Sequence, residues 1–122
     1  MSFFNLLGKA AEGFAGTKMV LKGSDFLINK HTPVNVFLLN PGMRAHADEL
    51  VKQYFLNHNG GGELNEYEAA LLKLAVFYAS AEQVSDEKTM ALVGEAIENI
   101  RDVGGEKISA GISLEVMSQT GL

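Results

Sequence analysis

Ile108-Ser109-Ala110-Gly111-Ile112-Ser113-Leu114-Glu115-Val116 decides how this chain is read. Apolar Ile108, Ala110, Ile112, Leu114 and Val116 alternate with small or polar residues. That period of two predicts a strand with one wet face, because successive strand side chains point to opposite sides. On a helical wheel the same residues scatter. A lone strand is not stable, so this one, over 107–117, needs partners. The remaining candidates lie within 17–39. Residues 18–22 stand between Gly16 and Gly23, and Phe26-Leu27-Ile28 follows Gly23-Ser24-Asp25. Residues 34–39 stand between the 29–33 turn cluster and Asn40-Pro41-Gly42. Short apolar runs bounded by turn residues read as strands. The two ends of the chain should then meet in one small sheet, with the helices packed on a single face. The fold class expected is α+β, a small two-layer single domain over 1–122. An exposed edge of such a sheet can pair with its copy, so a homo-oligomer is compatible with this reading.

Helices are expected at 2–15, 43–56, 64–81 and 86–103. In the first, Phe3, Phe4, Leu7, Ala10, Ala11 and Phe14 recur at three- and four-residue spacing, between a capping Ser2 and Gly16. It reads as a terminal helix packed on its own core, with docking to a membrane surface or to a partner as the rival. In the second, Ala47, Leu50, Val51, Tyr54 and Phe55 form one stripe, with Arg44, Asp48, Glu49, Lys52 and Gln53 on the other face. The third is apolar nearly all round, leaving only Glu66, Lys73 and Ser80 as a thin polar strip. Such a helix must be covered from several sides. In the fourth, Ser85 is the expected cap, Met90, Val93, Ala96, Ile97, Ile100 and Val103 form the stripe, and Gly104-Gly105 ends it.

Composition narrows the function classes. The chain has 122 residues, 47% hydrophobic and 20% charged, which suits an ordered domain. The net charge of −5 and ten basic residues scattered singly disfavour nucleic acid as a partner. There is no cysteine, which excludes disulfides, thiolate catalysis and thiolate metal sites. No apolar run is long enough for a membrane span, and a cytoplasmic location is expected. His31, His46 and His58 stand in no metal-binding spacing. No nucleophile–base constellation or phosphate-binding motif can be assembled, so no enzyme activity and no cofactor are expected.

One loop carries a chemical motif. Asn57-His58-Asn59-Gly60-Gly61-Gly62-Glu63-Leu64-Asn65-Glu66-Tyr67-Glu68 lies between two expected helices. An EF-hand calcium loop needs early alternating oxygen ligands, Gly at the sixth position, an apolar residue at the eighth and a bidentate Glu at the twelfth. Gly62, Leu64 and Glu68 stand at those last three places, so residues 57–68 resemble a degenerate EF-hand. The resemblance implies calcium on Asn57, Asn59, Glu63 and Glu68. Asn replaces Asp at the first position and Gly61 offers no side chain at the fifth, so the charge count implies weak binding. The competing reading is a glycine-rich connector.

A second likeness lies at residues 71–91, LLKLAVFYASAEQVSDEKTMA. It is similar to the helix–loop–helix repeat of tellurite-resistance TerB-type domains: an Ala-rich helix, an acidic turn, then Val84-Ser85-Asp86-Glu87 opening the next helix. Glu82-Gln83 stands where that family carries Asp-Gly. The likeness covers about a sixth of the chain. It implies an all-helical domain, against the period-two terminus, and the fold expected here follows the terminus.

The function expected is a non-catalytic protein–protein interaction module: a small acidic regulator, inhibitor or assembly subunit that docks on another protein. The alternative is weak calcium or other ion binding through the 57–68 loop.

Overall fold

The computed structural model describes residues 18–32, 41–57 and 64–122, with side chains described except at 55–57. Of the described residues 89% are helical and none lies in a strand. The α+β assignment and its sheet are therefore overturned. The order is α1 (18–31), α2 (Pro41–Asn57), α3 (Glu66–Gln83), α4 (Glu87–Gly104), a 3-10 turn (Gly105–Lys107) and α5 (Ala110–Thr120). The helix expected at 2–15 and the strand expected at 34–39 lie outside the described residues.

The terminal strand at 107–117 is instead the opening of α5. Ser109 caps it, its side chain accepting from the Ile112 amide, and Gly121 ends it in the left-handed region at φ 71°. The buried residues of α5 are Ile112, Val116 and Thr120, while Leu114 is 67% exposed. The physical reason is arithmetic. Every second member of a period-two pattern is four residues from the last, so an alternating run contains a helical i,i+4 row. Tertiary packing took that row and left Leu114 outside.

The strands expected at 18–22 and 26–28 are one continuous helix, α1. Each residue of the supposed turn between them has a packing role. A β-carbon at Gly23 would lie 2.5 Å from Glu66 Oε2 and 3.2 Å from its Cβ, so the glycine lets α1 approach the start of α3. Ser24 is buried, and its hydroxyl donates to the Leu21 carbonyl at 2.7 Å. Asp25 joins an ion-pair network described below. Pro41 and Gly42, read as the end of a strand, open α2. Proline suits a first turn because its missing N–H would have no helical partner there.

α3 is the axle. Ala69, Ala70, Leu71, Leu74, Ala75 and Phe77 have no exposed surface. α2, α4 and α5 all pack against it, and α1 adds Leu27 and Ile28 to the same core. The alanines let neighbouring backbones come close, and each fully buried Leu or Phe contributes about 1.5–3 kcal/mol. α4 offers a narrower face, Val93, Ala96, Ile97 and Ile100. Its cap is Asp86, not Ser85. The Asp86 carboxylate accepts from the Thr89 amide at 3.1 Å and from the Thr89 hydroxyl at 2.6 Å. Ser85 makes the turn itself, at φ 57°. Residues 71–91 run from α3 through this turn into α4.

Candidate functional site

Of the four expected calcium ligands, Asn57, Asn59, Glu63 and Glu68, the structure describes the side chain of Glu68 alone. Asn57 closes α2, and Asn59 and Glu63 lie outside the described residues. Glu68 is 4% exposed. Its Oε1 accepts from the Asn65 amide at 3.2 Å, and its Oε2 accepts from the Ser109 amide at 3.1 Å. Asn65 completes a capping box: its Oδ1 accepts from the Glu68 amide at 3.0 Å. The Asn65 side-chain amide donates to the Lys107 carbonyl at 2.6 Å. One carboxylate therefore holds the starts of α3 and α5 together, with its charge at the positive ends of both helix dipoles. A cation bound in bidentate fashion would have to share both oxygens with these amides. Among the described residues no three His, Asp or Glu side chains converge as a metal cluster. The Asn65–Glu68 spacing announced the capping box. Nothing in the sequence announced Ser109.

A second polar centre was missed. Lys73, assigned from sequence to the thin polar strip of α3, is among the largest fully buried side chains of the described residues. Its Nζ donates to Asp25 Oδ1 at 2.9 Å and to the Leu21 carbonyl at 3.3 Å. Asp48 Oδ1 lies 2.8 Å away, at an angle that makes the contact ionic rather than a directed hydrogen bond. Arg44 Nη2 donates to Asp25 Oδ2 at 2.7 Å, and its Nε stands 3.9 Å from Asp48 Oδ2. Two cations and two carboxylates thus balance where α1, α2 and α3 meet. A buried ammonium is tolerable only with such partners. The charges pair with one another, which makes this a clamp between helices. The available signal was a single lysine in a helix otherwise apolar nearly all round.

The surface offers two features of opposite character. On α1, Met19 is 74% and Phe26 65% exposed. They stand seven residues apart, two helical turns, so they lie one above the other. Exposed Lys18, Lys22 and Lys30 flank them. Asp25, the one acidic residue of α1, faces inward to Lys73 and Arg44, so the outer face carries positive charge alone. The lysines that looked scattered in sequence are gathered by one helix. The second feature is a depression of about 360 Å³ between α3, α4 and Leu122. Tyr78, Met90, Gly94 and Leu122 give it apolar walls, and exposed Glu95 and Glu98 stand at its rim.

Comparison with protein families, curated proteins and solved structures finds no match to this chain. Among the described residues no helix is long and apolar enough to cross a membrane.

Proposed function

We propose that the protein is a non-catalytic docking module that binds another protein through the outer face of α1. The observation that carries this reading is the pairing of Met19 and Phe26 outward on one helix face, framed by Lys18, Lys22 and Lys30. Single exposed apolar side chains are ordinary, but two large ones aligned along one face form a coherent contact surface. Aromatic side chains with adjacent long cations are what interface centres favour, because they combine large buried area with charge steering at the rim. An acidic partner surface fits this face. The core supports the reading in a second way: the clamp at Lys73 and the cap at Glu68 brace the helices with their polar groups turned inward.

The test is capture of partners from the native host by the full chain and by Met19→Ser/Phe26→Ser. Both side chains are exposed, so the variant should keep its helical circular-dichroism spectrum. A specific partner retained by the natural chain and lost by the variant supports docking through α1. A partner set identical for the two proteins refutes it.

A further inference from the structure

We infer that the protein on which α1 docks is a second copy of this chain, with Phe26 of one copy seated in the Tyr78–Met90–Gly94–Leu122 depression of the next. This rests on the docking role assigned to α1 and names its partner. The two surfaces are suited to each other. Phe26 is 65% exposed on a convex helix face, and the depression of about 360 Å³ is shallow and open, with an aromatic ring, a thioether and a leucine among its lining side chains. Ring–ring and sulfur–ring contacts favour an aromatic guest there.

They also match in charge. Lys22 and Lys30 each stand one turn from Phe26, about 6 Å along the axis, with their charged ends free to reach either side of the ring. Glu95 and Glu98 stand one turn apart at the rim of the depression. A ring flanked by lysines thus meets a partly apolar depression lined in part by glutamates. Gly94 keeps the pocket open. A β-carbon placed on it would be 3.8 Å from Leu122 Cδ1 and 3.9 Å from Tyr78 Cε2, so larger side chains there grow into the pocket without straining the helix.

Because the two surfaces differ, the contact is head-to-tail. It closes if two copies satisfy both contacts at once, and otherwise forms rings or chains. On a chain of net charge −5, association through this contact depends on local pairing of opposite charge, so salt should weaken it.

The experiment is sedimentation equilibrium of the full chain from about 10 μM to about 1 mM, at low and high salt, with helicity monitored throughout. Natural chain should self-associate. Phe26→Ser and Gly94→Leu, which alter opposite sides of the contact, should each weaken association about tenfold or more. Lys22→Glu/Lys30→Glu and Glu95→Lys/Glu98→Lys should each be monomeric alone and should pair when mixed. A natural chain that stays monomeric across the range overturns the inference, as does association that Phe26→Ser and Gly94→Leu leave unchanged. Binding to anionic vesicles without self-association overturns it too. If the chain is monomeric but Phe26 still governs capture of another protein, docking through α1 stands and only the second copy falls. If Phe26 governs neither, both fall.

Discussion

Replacing Glu68 by Ala removes one carboxylate from the starts of two helices. In the folded protein that carboxylate accepts from the Asn65 amide at the start of α3 and from the Ser109 amide at the start of α5. A lost N-terminal capping interaction costs about 1 kcal/mol, with a range of about 0.5–2. Ser109 is exposed, so water can replace its acceptor. Asn65 is half-buried and regains less. The total expected is about 2 kcal/mol. A chain of 122 residues unfolds with an entropy of about 0.26 kcal/mol/K, so this corresponds to a fall in Tm of about 8 °C. Glu68→Gln keeps one acceptor oxygen and should lose about half as much. The assay is urea and thermal unfolding followed by circular dichroism, each with and without millimolar calcium. If Glu68 is a helix clamp, the loss is the same in both. A Glu68→Ala protein within about 0.5 kcal/mol of the natural one would refute the clamp, since such a difference is smaller than a single cap. Stabilisation of the natural protein by calcium, absent in Glu68→Ala, would instead place a cation on this carboxylate.

Other outcomes follow from the same geometry. Lys73→Met should cost about 2–4 kcal/mol in urea unfolding. That is somewhat below the usual loss for a broken buried pair, because Asp25 and Asp48 are 24% and 33% exposed and water can reach them. Adding Asp25→Asn to Lys73→Met should cost less than the two single losses combined, by about 1 kcal/mol or more, since both belong to one network. Ser85→Gly should stabilise by about 0.5–1 kcal/mol, because φ 57° suits glycine better than serine; unchanged stability would sink this. The Asp86 carboxyl is held below its ordinary value of 3.8, chiefly by the Thr89 hydroxyl and then by the Thr89 amide. A lowered folded-state value means that its contribution is complete above the unfolded value and is lost as pH falls through the folded one. The stability difference between the natural chain and Asp86→Ala should therefore be constant near neutrality and shrink below about pH 4. Leu74→Ala, at a position with no exposed surface on α3, should cost about 2–5 kcal/mol.

The signals for α2, α3 and α4 are local and stand in the sequence. They include Pro41 at the start of α2, Asn65 three residues before Glu68, Asp86 three before Thr89, and apolar rows at helical spacing. Glu68 was singled out as a loop ligand because the same spacing that places a carboxylate at the end of a calcium loop also places it in a capping box. Only its contact with Ser109, 41 residues away, shows that it braces a second helix. The lysines of α1 were legible as residues but not as a face, because a chain read as two short strands has no outer side running from Lys18 to Lys30.

By itself, then, the sequence determined the apolar rows of α2, α3 and α4, an acidic balance and the absence of cysteine. The tertiary structure decided α1 and α5. Gly23, Ser24 and Asp25 are turn formers in isolation, and they stay helical because Glu66, the Leu21 carbonyl, Lys73 and Arg44 occupy the space and the charge around them. Residues 108–116 read as a strand by pattern, and only the row Ile108, Ile112 and Val116 within them has helical spacing. The helix prevails because α3 offers a surface that buries Ile112 and Val116, while no described segment offers a strand edge. Local pattern pointed away from helix at both places, and burial against α3 outweighed it.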